Sequence, residues 1–212
     1  MKFPIPNFKF QLQNYNNTMQ EIKNRLMSCE LEYDEIQEAA PASNEEIQTL
    51  TAYFSQPIPQ ELVTFYKTIG GIESDEIFHI FSPENFINQI QERESLQHNS
   101  TGIIDMIIAF WGNDRPEFQE YELLTEEETD KINKAFPCIG WIVAEEDNYE
   151  SGEYVIFDKN GNFMNLYCHQ DNLGKTKNQL LKLLESGLPK RSLENVLEEL
   201  FERAEGNLSR WD

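Results

Sequence analysis

Three histidines, three cysteines and a large stock of carboxylates are the residues of this chain with chemistry to offer. A metal site needs His or Cys ligands converging on one point. Cys168 and His169 are adjacent, so on a strand they point to opposite faces; no metal is expected. His79 lies in the β-rich run EIFHIF (76–81) and reads as a core or edge histidine. His169-Gln170-Asp171 follows a strand end. A hydrolase using His169 and nearby acids is the catalytic alternative, and it predicts a cleft around that residue. Asp147-x-x-Glu150 lacks the central glycine and terminal glutamate of a calcium-binding helix–loop–helix. The phosphate-cradling and nucleophile-elbow patterns are absent. The chain therefore implies no catalytic residue and no cofactor. Asp158-Lys-Asn-Gly161 is turn chemistry.

The carboxylates carry the stronger signal. With 38 Asp and Glu against 17 Lys and Arg, the net charge is −21. Phosphate-backbone binding needs clustered cations, so nucleic acid is excluded as a partner class. The natural partner of such a surface is basic. Residues 117–150 hold 11 Asp and Glu against two Lys, which concentrates the excess. Within it, Glu145, Glu146, Asp147 and Glu150, together with Glu153, fall in a loop between strands, where binding residues commonly sit. They are the candidate partner-binding residues, with residues 117–130 as a secondary patch. Tyr149 among them is the candidate aromatic anchor. Trp111, Trp141, Tyr154 and Tyr167 lie on predicted strands and read as core. The plainer reading is an acidic loop that serves only solvation.

The elements that must position these residues follow from periodicity and caps. Thr18 opens a capping box and a helix over residues 18–38. Ser43-Asn-Glu-Glu46 opens a second helix, and a third starts at Pro59 and stops at Gly70-Gly71. Residues 76–81 form a strand, and Ser82-Pro83 begins a helix. Residues 103–111 (IIDMIIAFW) read as a central strand, because apolar residues occupy both faces. Residues 117–135 are an acidic loop with a helical turn or two, capped at Thr125. Residues 138–144 form a strand; residues 153–158 and 162–168 form a hairpin around Asn160-Gly161. Two helices close the chain, at 175–186 before Gly187 and from Ser192 to near Gly206. Helices first, then antiparallel strands, then helices define an α+β protein: a mostly antiparallel twisted sheet covered by N-terminal and C-terminal helices.

With 212 residues, 39% of them hydrophobic, the chain can bury a sizeable core. No run approaches a membrane span, since Asp105 interrupts the longest, and no signal peptide opens the chain. Cys29, Cys138 and Cys168 are odd in number and widely spaced, which predicts reduced thiols rather than a Cys138–Cys168 bridge. The expected compartment is the cytoplasm. The Asn16, Asn99 and Asn207 sequons are then chance.

In order, these segments resemble the SUKH superfamily of SMI/KNR type. The opening signature is Pro57-Ile-Pro59, Glu61-Leu62, Phe65-Tyr66 and Gly70-Gly71. A strand over 78–82 then leads into Pro83-Glu84-Asn85-Phe86. The later signature is Ile139-Gly140-Trp141-Ile142, the acidic segment 145–152, and Tyr154-Val155-Ile156-Phe157-Asp158. One departure is Ser151-Gly152-Glu153, where many members carry Gly-Gly-Asp or Gly-Asp. The resemblance covers residues 43–187, with 1–42 as an N-terminal extension and 188–212 as a C-terminal helix packed on or appended to the domain. It implies a non-catalytic binding protein. Bacterial relatives act largely as immunity proteins against polymorphic toxins, often nucleases; eukaryotic relatives of the cell-wall-regulator type act as regulatory or scaffold modules. The implied partner is a cognate toxin domain, basic in charge.

Overall fold

Ser43 starts a helix by a reciprocal pair of bonds. Its hydroxyl accepts the Glu46 N–H at 3.2 Å, and its own N–H donates to the Glu46 carboxylate at 2.7 Å. Thr125 and Glu128 repeat the arrangement at 3.2 and 2.9 Å. In both cases the serine or threonine lies three residues before a glutamate, as the sequence predicts. The computed structural model describes residues 20–21, 24, 37–74, 78–94, 101–111, 125–143, 151–169 and 172–208. Its elements are β1 (Gln37–Ala39), α1 (Asn44–Thr51), α2 (Gln60–Thr68), β2 (Gly71–Ser74), β3 (Phe78–Ile80), α3 (Pro83–Glu94) and α4 (Ile103–Trp111). They continue with α5 (Glu126–Ala135), β4 (Cys138–Val143), β5 (Ser151–Phe157), β6 (Phe163–His169), α6 (Leu173–Ser186) and α7 (Leu193–Leu208).

The six strands form one open sheet in chain order, β1 to β6, and every neighbouring pair is antiparallel. The fold is α+β, as the element order implies. The Asn160-Gly161 turn joins β5 to β6 with Phe157 opposite Phe163. Gly161 takes φ +77°, a conformation that a side chain resists. Gly70 takes φ +83° between α2 and β2, and a Cβ there would lie 2.2 Å from the Ala40 carbonyl oxygen. The Gly-Gly stop is thus also a crossing point, where the link after β1 passes over the end of α2.

Four expectations are corrected. Residues 126–135, read as part of an acidic loop with a helical turn or two, form the ten-residue helix α5. Residues 103–111 form helix α4, not a strand. Ile103, Ile104, Met106 and Ile107 are all buried, so the helix has lost the polar stripe that would reveal its period. Its N-terminus is capped from a distance, the Asn133 side chain accepting the Ile104 N–H at 2.8 Å. A four-residue strand, β2, follows Gly70 at once, and its partner β3 is only three residues long. Residues 37–39, placed in the first helix by pattern, are an edge strand paired with β2. The Thr18 capping box and Cys29 lie outside the described residues.

The core runs across all of these elements. Phe54 stacks at 5.4 Å on both Phe86 and Phe157; Phe86 meets Phe81 at 5.6 Å and Phe157 meets Phe163 at 6.0 Å. This aromatic chain joins the end of α1 to α3 and to the β5–β6 hairpin. Helix α7 shares the core, with Leu193, Val196, Leu197 and Leu200 fully buried. Asp158 closes the hairpin and reaches beyond it. It accepts N–H bonds from Asn160 at 2.9 Å, Asn162 at 3.0 Å and Leu188 at 3.3 Å, and one from the Asn162 side chain at 3.1 Å. Burial alone would raise this carboxyl; the four hydrogen bonds outweigh it and hold Asp158 below the usual range. Among the described residues, no helix is long and apolar enough to cross a membrane.

Candidate functional site: a polar groove along the β6 edge

β6 is an edge strand, and two helices flank it from opposite sides. The Thr176 hydroxyl on α6 reaches the Cys168 sulfur at 3.4 Å. The Asn165 side-chain amide donates to the Val196 carbonyl of α7 at 3.1 Å. Asn165 and Cys168 differ by an odd number of positions, so they face opposite sides of the strand. Between the helices runs a groove of about 420 Å³. Asn165, Tyr167 and His169 form its floor, every second residue of β6. Lys175 and Gln179 of α6 line one wall; Arg191, Glu199 and Arg203 line the other.

Glu153 completes the floor. It lies directly across from Tyr167 in the β5–β6 register, and its side chain is 6% exposed. An isolated carboxylate at that depth would be costly. Arg203 of α7 pairs with its Oε1, while the Arg203 side chain itself remains 56% exposed. The second oxygen, Glu153 Oε2, makes no hydrogen bond and is closed to solvent. The same holds for Asn165 Oδ1. Arg191 is held separately by Glu199 at 2.6 Å. Tyr167 is 43% exposed and is the one exposed large hydrophobic residue among those described.

The sequence-derived partner residues fare differently. Glu153 is not in a loop: it sits inside β5, buried and ion-paired, because the strand begins two residues earlier than the apolar pattern suggests. Glu145, Glu146, Asp147, Tyr149 and Glu150 lie outside the described residues. Tyr154 is fully buried, as read, but Tyr167 is not. The polar alternation Asn165-x-Tyr167-x-His169 is the signal that could have exposed it. Nothing in the local sequence pairs Arg203 with a residue 50 positions earlier.

The groove does surround His169, as a catalytic reading requires. Among the described residues, its cross-strand neighbour is not an activated nucleophile. Ser151 is directly opposite His169, yet it is fully buried and its hydroxyl makes no hydrogen bond. A general base must be within hydrogen-bond reach of the proton it removes. His79 is fixed otherwise: it contacts Glu73 at 3.5 Å and stacks on Trp141 at 4.6 Å. Burial would raise the Glu73 carboxyl, but bonds from His79 and from Asn85, the latter at 2.7 Å, hold it below the usual range. Cys138 and Cys168 are buried thiols outside any disulfide, and burial pushes Cys168 up to about 11. Among the described residues, no group of three or more His, Cys, Asp or Glu is placed to hold a metal ion.

Fold and site together define an α+β protein built on an antiparallel meander, with an ion-paired groove along one edge. The chain belongs to the SMI1 / KNR4 family (SUKH-1), whose family model matches residues 41–186. That span runs from just after β1 to the end of α6, so Glu153 lies inside it and Arg191, Glu199 and Arg203 lie beyond it. Comparison with curated proteins and with solved structures gives no match.

Proposed function

We propose that this chain is an immunity protein, which binds a cognate basic toxin domain of nuclease type and blocks it without chemistry. The observation that carries this reading is the net charge of −21 in a member of the SMI1 / KNR4 family. A nuclease must hold polyphosphate, so its substrate cleft is basic. An acidic protein can cover such a cleft, and its field speeds the encounter. The acidic segment containing Glu145, Glu146, Asp147, Tyr149 and Glu150 would contribute steering and contacts, with Glu153 at its margin. The site of action would be the cytoplasm.

Affinity capture from the native organism, washed at low and high salt, tests this. One basic domain encoded next to this gene and eluted by salt supports the reading. Several acidic or neutral housekeeping partners overturn it in favour of a regulatory or scaffold module. Replacing two or more of Glu145, Glu146, Asp147 and Glu150 by glutamine is expected to slow association and flatten its salt dependence.

A further inference from the structure

The groove along β6 contains a carboxylate that is only half used. Glu153 is more than nine-tenths buried, and Arg203 engages one of its two oxygens. Oε2 has no donor. Asn165 Oδ1, on the same floor, has none either. Buried acceptors are ordinarily satisfied, so two on one groove floor call for explanation. Both are acceptors that lack a hydrogen-bond donor. Of the cations lining the groove, Arg191 is already held by Glu199 and Arg203 by Glu153, while Lys175 stands on the facing wall.

Register fixes the spacing of these groups. Glu153 is opposite Tyr167, so Asn165 is its diagonal neighbour, about 7–8 Å away between strands. A guanidinium carries five N–H donors in a plane and can take both oxygens of a carboxylate at once. With one edge on Glu153, it has donors left for Asn165, beside the half-exposed Tyr167. The guanidinium now in place does not do this. Arg203 reaches Glu153 from α7 through a single nitrogen and leaves most of its side chain in solvent.

We propose that the groove is a receptor for an arginine side chain of a protein partner. The incoming arginine takes Glu153 from Arg203, bonding both carboxylate oxygens and Asn165 Oδ1 beside Tyr167. Arg203 is the resident counter-ion. It keeps Glu153 paired in the free protein and swings out to solvent on binding, so the buried charge is never left bare. The proposal deepens the reading of this chain as a binder of basic partners and specifies where one basic residue docks.

The test is a titration of the full-length protein, by NMR, with the peptide Ac-Gly-Arg-Gly-NH2 and its charge-reversed control Ac-Gly-Asp-Gly-NH2. Shifts at Glu153, Asn165 and Tyr167 with the arginine peptide alone are expected. Arg203→Ala removes the competitor and is expected to tighten the arginine peptide about tenfold. Glu153→Gln is expected to abolish binding while the Tyr167 resonances stay native. If Arg203→Ala does not fold, Arg203→Met keeps the packing stem and is expected to show the same gain. Preference for the aspartate peptide, or no gain in either folded Arg203 variant, overturns the exchange. The peptides are independent of any toxin. A failed titration beside a captured basic partner overturns the docking site alone; a successful one without such a partner overturns only the immunity reading.

Discussion

Glu61 on α2 accepts the Leu193 N–H at 2.7 Å, so a side chain from the second helix closes the N-terminus of the last. The bond crosses 132 positions of sequence. It sits beside a local cap, in which the Ser192 hydroxyl accepts the Asn195 N–H at 3.2 Å. A carboxylate at a helix N-terminus meets both unpaired donors and a favourable dipole. Burial pushes the Glu61 carboxyl above its usual range, against the lowering effect of the Leu193 bond.

Glu61→Ala is therefore expected to loosen α7 first. The loss is about 1 kcal/mol, the size of a lost cap, read by urea denaturation. Amide exchange at the start of α7 should rise more than exchange in β5. Glu61→Gln keeps an acceptor and is expected to lose less.

Asp158→Ala is expected to cost about 3 kcal/mol, because three backbone N–H groups lose their acceptor together. Asp158→Asn tests the charge. The folded carboxyl is held below the ordinary value near 4, so its contribution is complete above the unfolded pKa and is lost as pH falls through the folded one. The gap in urea midpoint between wild type and Asp158→Asn should be widest at neutral pH and narrow below about pH 4. A gap that widens in acid would refute the assignment.

At Gly70 the backbone conformation and the 2.2 Å approach to Ala40 act together. Gly70→Ala is expected to cost at least about 2 kcal/mol, measured as a shift in urea midpoint. The neighbouring β1–β2 pairing should lose amide protection with it.

Cys168 combines full burial with a thiol pushed up to about 11. The thiolate is the reactive species. At pH 7.5 the native thiol should alkylate more than about 100-fold more slowly than an ordinary one. Peptide mapping after iodoacetamide treatment checks this, with the urea-unfolded protein as reference. Equal rates in both states would mean the site is open.

How much of this was readable in advance depended on whether the controlling interaction was local. Ser43, Thr125, Pro83, Asn160-Gly161 and Gly187 act on residues within a turn of themselves, and the helices and hairpin they mark are all present. α4 was misread because its controls are remote. Its first five residues are all buried, and its cap comes from Asn133 on α5. β1 and β2 are too short for period-2 alternation to register. The groove was legible in part: Glu153 stood out by charge, and His169 by type. Arg203 did not, since only the docking of α7 brings it to β5.

The sheet is a meander in order, but its seams are unequal in chain length. β5 and β6 join through one tight turn, whereas β3 and β4 pair only after α3, α4 and α5 have been passed. Closing the longer loop carries the larger entropic cost and gains its contacts last. The β5–β6 hairpin is thus the expected nucleus, with β4 adding next to it; the short β2–β3 hairpin docks afterwards, and β1 joins it across α1 and α2. In refolding, amides of Tyr154 and Leu166 should become protected before those of Ile72 and Ile80. The β3–β4 seam, three residue pairs from Phe78–Ile142 to Ile80–Gly140, is the longest-range closure of the sheet, and the Phe54–Phe157 and Glu61–Leu193 contacts are what keep its two sides together once it has formed.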